Sequence, residues 1–197
     1  MAMPAIRRRW TTAAVRELTR EDRAWPRYEL IAGELLVTPA PGYIHQIAAT
    51  ELWSLLNAYL EHAPVGVAVT SPSDLELQPG TITQPDVFVI PSDTRTAGEV
   101  LQWPDVKSLL LAVEVLSPGS LRTDRVKKRD FYLDAGVEEY WIVDLDARVI
   151  ERWRPSQETP ELVRDELAWI PRAGERLTID LPSYFDRIAR KVRMFAR

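Results

Sequence analysis

The sequence contains no cysteine and only two histidines, His45 and His62. The chain therefore cannot form disulfides, thiolate metal sites or a cysteine nucleophile, and the shortage of imidazoles argues against a zinc enzyme. Long apolar runs are missing too, because Leu109–Leu116 is far shorter than the ~20 residues that a membrane-spanning helix needs. We predict a cytoplasmic protein with no membrane partner.

The overall charge is slightly negative, with 29 acidic and 25 basic residues and a formal net charge of -4. Contact with nucleic acid would therefore depend on a local basic patch, for which segments 122–129 and 187–193 are candidates. A chain of 197 residues that is 46% hydrophobic and 27% charged has the composition of a globular protein. We predict one domain over 1–197, with its core at about residues 28–154.

The spacing of apolar residues predicts a mixed α/β (α+β) fold. Two apolar runs around Gly33 predict a β-hairpin over Tyr28–Thr38, and helical spacing predicts a long helix over Ile44–Tyr59. A basic amphipathic helix is predicted to end near Gly136. The predicted strands are Val65–Thr70, Asp74–Leu77, Pro85–Ile90, Leu109–Leu116, Tyr140–Val143 and Arg148–Arg154, and a last helix is predicted over Tyr184–Phe195. We expect a central mixed β-sheet flanked by helices, with the hairpin as an N-terminal extension.

Two carboxylates stand out because they interrupt nearly continuous apolar runs. Asp86 lies in Pro85–Ile90, and Glu114 lies in Leu109–Leu116. Such runs predict strands covered on both faces, where a charge is costly unless it is paired or bound to a cation. If the two strands are neighbours, both carboxylates can project to the same side and supply the oxygen ligands that Mg²⁺ prefers. A buried ion pair is the alternative explanation for each acid.

A basic segment, Asp124–Lys128, follows Glu114 by about a dozen residues. A lysine beside a metal site can hold the attacking water or stabilise the charge that develops on a phosphate. Lys127 and Lys128 are both candidates, because adjacent residues of a helix are about 100° apart and only one can face the acids. Asp124 is predicted to cap this helix or to pair with Lys128. Two acids and one lysine suffice for hydrolysis of a phosphodiester.

Several short motifs occur in an order that identifies a known family. They are Tyr28-Glu29-Leu30 with Gly33-Glu34, His45, Pro85-Asp86-Val87, Glu114-Val115-Leu116-Ser117-Pro118, Asp124 to Lys128 with Tyr132, and Gly136-Val137-Glu138-Glu139-Tyr140-Trp141. This order resembles the Uma-type restriction endonuclease family of the PD-(D/E)XK nuclease superfamily. The resemblance implies a restriction-endonuclease-like core that cleaves DNA with Mg²⁺, or Mn²⁺, as cofactor. We place Asp86, Glu114 and Val115 among the predicted metal ligands.

The resemblance also implies roles for other residues. The lysine expected two residues after Glu114 is replaced by Leu116, and the family spacing favours Lys128 as its substitute. Glu34 and His45 match family positions near the predicted cleft, so both join Asp86, Glu114 and Lys128 as predicted catalytic residues. Restriction enzymes commonly act as dimers, which makes a homodimer the expected state.

Three alternatives stay open. Pro104-Asp105 is a second candidate for the first acid, but Asp105 directly precedes the apolar run of Glu114, so we place the first acid at Asp86. Leu116 at the usual lysine position is compatible with a nuclease fold that binds nucleic acid or protein without cutting. Paired acids also serve glycosidases, but the residues beside these acids are mainly aliphatic, whereas a sugar site needs aromatic platforms.

Overall fold

A computed structural model describes residues 9–18, 26–94, 102–172 and 174–195, so the predicted domain of 1–197 includes residues outside these ranges. The helices are α1 (Thr12–Leu18), α2 (Tyr43–His62), α3 (Arg129–Asp134) and α4 (Leu181–Phe195), with a π-helical turn (Thr123–Lys128) before α3 and 3₁₀ turns at Ser92–Thr94 and Trp103–Asp105. The strands are β1 (Arg27–Ile31), β2 (Glu34–Thr38), β3 (Gly66–Thr70), β4 (Val87–Pro91), β5 (Leu111–Val115), β6 (Glu139–Asp144), β7 (Val149–Trp153), β8 (Glu161–Val163), β9 (Glu166–Trp169) and β10 (Leu177–Asp180).

Six strands form the central sheet, in the order β3-β4-β5-β6-β7-β8. β5 and β6 are parallel, whereas all other neighbours in this sheet are antiparallel. A parallel pair needs a crossover connection, which the π-helical turn and α3 supply. β1 pairs with β2, and β9 pairs with β10, as separate antiparallel ribbons. The structure confirms the predicted mixed sheet flanked by helices and the N-terminal hairpin.

The turn of the β1–β2 hairpin has a local cause. Ala32 and Gly33 both adopt positive φ, at 52° and 77°. Two consecutive left-handed residues match the twist of a tight hairpin, and glycine adopts this conformation without steric cost. The tight turn sets the register of the hairpin, which pairs Glu29 with Leu36.

Hydrophobic clusters cover both faces of the central sheet. Helices α2 and α4 cover one face, and α3 together with the β1–β2 hairpin covers the other. Every residue of β4 and β5 is buried, as the continuous apolar runs predict. Because side chains alternate along a strand, Asp86 and Glu114 share the face of Phe88 and Ala112, which is the face covered by α3. The sheet therefore directs both acids towards α3 and the π-helical turn before it.

α2 is the longest helix that the structure describes, with 20 residues. Its buried side chains recur at helical spacing, as predicted for this segment, and are Ala48, Ala49, Leu52, Leu56 and Leu60. Among the described residues, no helix combines the length and the apolar character needed to cross a bilayer.

The predicted strand over Asp74–Leu77 is wrong. Leu75 and Leu77 are buried, which explains the alternating pattern, but only Leu75 forms a bridge, with Thr83. The alternating pattern arises because two leucines are buried against the core. It does not indicate a ladder of backbone hydrogen bonds, since the backbone of this stretch pairs with the neighbouring segment only at Leu75 among the described residues.

Four elements lack a counterpart in the sequence prediction: α1, β8, β9 and β10. Each has only three to seven residues. In β8 only Val163 is buried, so the strand offers no apolar alternation to detect. Short elements of this kind form because neighbouring strands and helices support them, which is a tertiary effect.

Candidate active site

The register of β4 and β5 sets Asp86 opposite Glu114. Val87 pairs with Val113, and one step further along the two antiparallel strands come Asp86 and Glu114. The Val115 N–H donates a hydrogen bond of 2.9 Å to Asp86 Oδ2, which fixes the carboxylate to the neighbouring strand. Only 5% of Asp86 and 3% of Glu114 is exposed. The two predicted acids therefore meet in the interior, on the α3 side of the sheet.

Asp86 is surrounded by hydrogen-bond donors. Arg27 Nη1 lies 2.9 Å from Oδ1, and His45 Nε2 lies 3.0 Å from Oδ2. Burial alone would raise the pKa of Asp86, but the hydrogen bond and charge of His45, the charge of Arg27 and the Val115 N–H together lower it to about 2. These contacts hold Asp86 as a carboxylate at neutral pH.

Glu114 has the opposite electrostatic character. Its Oε1 accepts hydrogen bonds from Lys128 Nζ at 2.9 Å and from Tyr132 Oη at 3.0 Å. Burial raises the pKa of Glu114 well above its usual value; the charge of Lys128 opposes this rise, and the nearby carboxylates add to it. Tyr132 is fully buried, and its hydrogen bond orients this carboxyl group.

Lys128 is the cation at the centre of the cluster. Its Nζ lies 2.8 Å from Glu29 Oε2, 2.9 Å from Glu114 Oε1 and 3.9 Å from Asp124 Oδ1. Burial by itself would lower the pKa of Lys128, but the charges of these three acids outweigh it and raise the pKa well above the usual value. Lys128 is therefore held as an ammonium group.

The π-helical turn separates the two candidate lysines. It directs Lys128 inward, whereas Lys127 Nζ lies outside the cluster and pairs with Glu34 Oε1 at 2.6 Å. The side chains of Lys127 and Glu34 are 43% and 52% exposed. Lys128 faces the acids, as the family spacing indicates. The structure does not bring Glu34 into the cluster, contrary to its predicted place in the cleft.

Asp124 adds another buried carboxylate, with 1% of the residue exposed. The expected capping role is wrong, because Asp124 lies inside the helical turn and Arg122 precedes that turn. Burial raises the pKa of Asp124 to about 6, although the charge of Lys128 and a hydrogen bond with Ser120 oppose the rise. Within the part of the chain that the structure describes, its Oδ1 has no hydrogen-bond partner. Its main-chain carbonyl accepts a hydrogen bond from Tyr140 Oη at 3.1 Å.

Arg27 and Glu29 belong to the cluster, although no site role is predicted for them from sequence. Both lie on β1, two residues apart, so they share one face of the hairpin and are buried there. Glu29 Oε1 also accepts a hydrogen bond of 2.9 Å from the Gln84 N–H. The sequence signal that could have identified them is the alternation of two opposite charges, Arg27 and Glu29, with apolar residues in a short strand.

A cavity of about 450 Å³ adjoins this cluster. Its walls are formed by β2 with the following loop, Leu35–Gly42, and by the turn Ser117–Ser120. The polar residues at its base are Arg27, Glu29, His45, Asp86, Glu114, Asp124 and Lys128. The competing Asp105 is not among the lining residues; its Oδ2 accepts a hydrogen bond from the Gln102 N–H at 3.0 Å. The geometry therefore favours Asp86 over Asp105.

The donor set suits a hard divalent cation. Among the described residues, the four carboxylates of Glu29, Asp86, Glu114 and Asp124 contact two permanent cations, Arg27 and Lys128. Within the same part of the chain, Asp124 Oδ1 lacks a hydrogen-bond partner, so the cluster has an oxygen available to a cation or to water. Within the described ranges, no three His, Asp or Glu side chains are already grouped as a metal site. The predicted set of Asp86, Glu114 and the Val115 main chain needs only two side chains and leaves the other positions to water and substrate.

Known proteins include a family and a solved structure to which this chain is similar. The family model Uma2, described as "Putative restriction endonuclease", matches residues 13–181. A solved structure from Anabaena variabilis ATCC 29413, described as a "putative nuclease belonging to DUF820", is similar with a TM-score of 0.67 and 21% identity, covering 88% of this chain and 98% of that chain. No curated protein matches this sequence. The family match confirms the resemblance carried by the motifs, and the structural match confirms the fold.

Proposed function

The chain belongs to the Uma2 family, described as "Putative restriction endonuclease", and on this premise we propose that it is a metal-dependent endonuclease that hydrolyses phosphodiester bonds of DNA. The proposed cofactor is Mg²⁺, with Mn²⁺ as an alternative. One observation carries the proposal: Asp86 and Glu114 meet across β4 and β5 in a cavity, within reach of the buried ammonium group of Lys128.

Both acids are proposed as ligands of the cation. Asp86, Glu114 and the main-chain carbonyl of Val115 would hold the cation. A bound divalent cation supplies Lewis-acid activation of the phosphate and makes water more acidic. Asp86 is ready for this role because its pKa of about 2 keeps it ionised. Arg27 and His45 orient Asp86, so that His45 acts as a positioning residue.

Lys128 is proposed to hold the attacking water and to stabilise the negative charge that develops on the phosphate. The surrounding carboxylates raise its pKa, so Lys128 donates hydrogen bonds and does not accept a proton from the water. Leu116 cannot serve, because its apolar side chain packs into the core beside Glu114. We assign no step to Glu34, which pairs with Lys127 outside the cavity.

A second candidate function is a binding module that retains the nuclease fold but does not cut. It is favoured by the contacts of Asp86, whose two oxygens already accept hydrogen bonds from Arg27, His45 and the Val115 N–H. Titration calorimetry with Mg²⁺ or Mn²⁺, followed by a nuclease assay, separates the two functions. Metal binding without cleavage would favour the module.

The test is nicking of negatively supercoiled plasmid by the full chain in the presence of Mg²⁺. We expect Asp86→Ala to abolish nicking while the circular dichroism spectrum stays unchanged. Asp105→Ala is the matched control, since Asp105 follows a proline in the same way but does not line the cavity. Undiminished nicking by Asp86→Ala, or nicking that persists in excess chelator, would contradict the proposal.

A homodimer remains a prediction that follows from the proposed function. Cleavage of both strands of a duplex is simplest with two active sites, one on each copy. Sedimentation equilibrium of the full chain tests it, and a monomer at all concentrations would contradict it.

A further inference from the structure

The groups that must meet the scissile phosphate lie at the base of the cavity. Asp86, Glu114 and Lys128 expose only 5%, 3% and 5% of their surface. In a duplex the phosphates lie on the outside of a rod whose persistence length is about 50 nm, so a short stretch does not bend into a recess without cost. A flexible single strand can enter such a recess.

The size of the cavity also favours one strand. Its volume of about 450 Å³ lies within the ~300–1,000 Å³ typical of pockets that enclose a single small ligand. Segments Leu35–Gly42 and Ser117–Ser120 both line it, so the chain surrounds the acids on more than one side. This space suits about one nucleotide unit and not two paired strands.

One wall of the cavity is mainly apolar. Leu35–Gly42 contributes Leu35, Leu36, Val37, Pro39, Ala40 and Pro41 to the lining. Proteins that bind single strands combine a charged site for the backbone with surfaces on which bases pack, because every unpaired base exposes an apolar face. In a duplex these faces are stacked on one another and cannot reach the wall. The apolar lining therefore complements unpaired bases.

Three cations of the basic segment 122–129 are already paired with acids. Arg125 contacts Asp144 and Glu151, Lys127 contacts Glu34, and Arg129 contacts Asp130. Binding of a duplex relies on rows of Lys and Arg that neutralise successive phosphates. The predicted basic segment 122–129 is thus largely engaged within the protein, which weakens the case for a duplex-tracking surface.

We propose that this site acts on single-stranded DNA in preference to duplex DNA. The inference rests on the proposed nuclease function and names its substrate class. A single strand would pass its backbone over Asp86 and Glu114 while a base packs against the wall around Val37.

The experiment compares two circular substrates of the same sequence with the full chain and Mg²⁺: single-stranded circles and relaxed, covalently closed duplex circles. Circles exclude cleavage from ends, and relaxation removes the unwound regions of supercoiled plasmid. We expect single-stranded circles to be cut at least about tenfold faster, a difference of about 1.4 kcal/mol in the barrier. Equal or faster cleavage of the duplex circles would overturn the inference while leaving the proposed function intact.

A pair of variants tests the wall itself. Val37 lines the cavity and is 55% exposed, whereas Val67 on β3 does not line it and is 56% exposed. Val37→Glu should raise KM for the single-stranded circles about fivefold, because its charge repels the phosphates. Val67→Glu should leave KM unchanged. An unchanged KM in Val37→Glu would contradict the inferred path of the strand, and absence of cleavage of every DNA, supercoiled plasmid included, would overturn the proposed function itself.

Discussion

Lys128 Nζ lies 2.9 Å from Glu114 Oε1, although Glu114 belongs to β5 and Lys128 to the π-helical turn that follows it in the chain. The π-helical turn makes this contact possible because it follows β5 and returns over the face of the sheet to which Glu114 points. The cation that contacts Glu114 therefore comes from the π-helical turn, and the position two residues after Glu114 is occupied by the apolar Leu116.

Lys128→Met is expected to lower the free energy of unfolding by about 3 kcal/mol at neutral pH, because it leaves Glu29, Glu114 and Asp124 buried without their common cation. The loss should shrink as the pH is lowered, since the carboxyl groups then take up protons. Urea unfolding at several pH values measures both effects.

Lys127→Met is the matched control for this change. Lys127 is the adjacent residue, and its pair with Glu34 is exposed, so its removal should alter the free energy of unfolding by no more than about 0.5 kcal/mol. Equal destabilisation by the two variants would mean that Lys128 is not the buried partner of the acids.

The meeting of Asp86 and Glu114 could be predicted on the condition that their two strands are neighbours, because the other causes are local. Each acid interrupts or adjoins a run of apolar residues, and alternation within two neighbouring strands is enough to place both side chains on one face. The hairpin and α2 could be predicted for the same reason, since Gly33 and the helical spacing of apolar residues are signals within one segment.

The parts of the site that sequence reasoning missed depend on tertiary contacts. Glu29 and Arg27 join the cluster only because the β1–β2 hairpin packs against the same face of the sheet as α3. The alternation of charged and apolar residues in β1 is also typical of a surface hairpin, so it does not by itself place Arg27 and Glu29 in a site. Glu34 shows the opposite outcome, in which a residue predicted from the family motif lies outside the site. It belongs to the same hairpin as Glu29, but its side chain pairs with Lys127 outside the cavity.

Asp124 provides a prediction about pH. Its pKa is raised from an unfolded value near 3.8 to about 6, so the folded state binds this proton more tightly. The resulting stabilisation is complete below about pH 3.8 and is lost as the pH rises through about 6, where the buried charge becomes a cost. Asp124→Asn should therefore raise the free energy of unfolding at pH 7 by ~2 kcal/mol in the absence of metal, and by much less at pH 4.

Denaturant unfolding at these two pH values checks this expectation. Asp134→Asn is the control, since Asp134 lies on α3 but is exposed, and a surface change of this kind should stay within about 0.5 kcal/mol at both pH values. A destabilised Asp124→Asn at pH 7 would show that the ionised carboxylate is favourable in the folded protein, against the raised pKa.

The two histidines allow a test of how Asp86 is kept ionised. His45 Nε2 lies 3.0 Å from Asp86 Oδ2, whereas His62 is exposed at the end of α2. Because the folded pKa of Asp86 is depressed to about 2, its contribution to stability is present above about pH 3.8 and is lost as the pH falls through 2. Removing the charged hydrogen bond in His45→Ala should raise the pKa of Asp86 by about one unit, so the free energy of unfolding should fall less steeply between about pH 4.5 and 2.

His62→Ala should keep the steep dependence of the unaltered protein, as urea unfolding across this range would reveal. If the slope in His45→Ala matched that in His62→Ala, Arg27 and the Val115 N–H alone would account for the low pKa, and His45 would lose its positioning role.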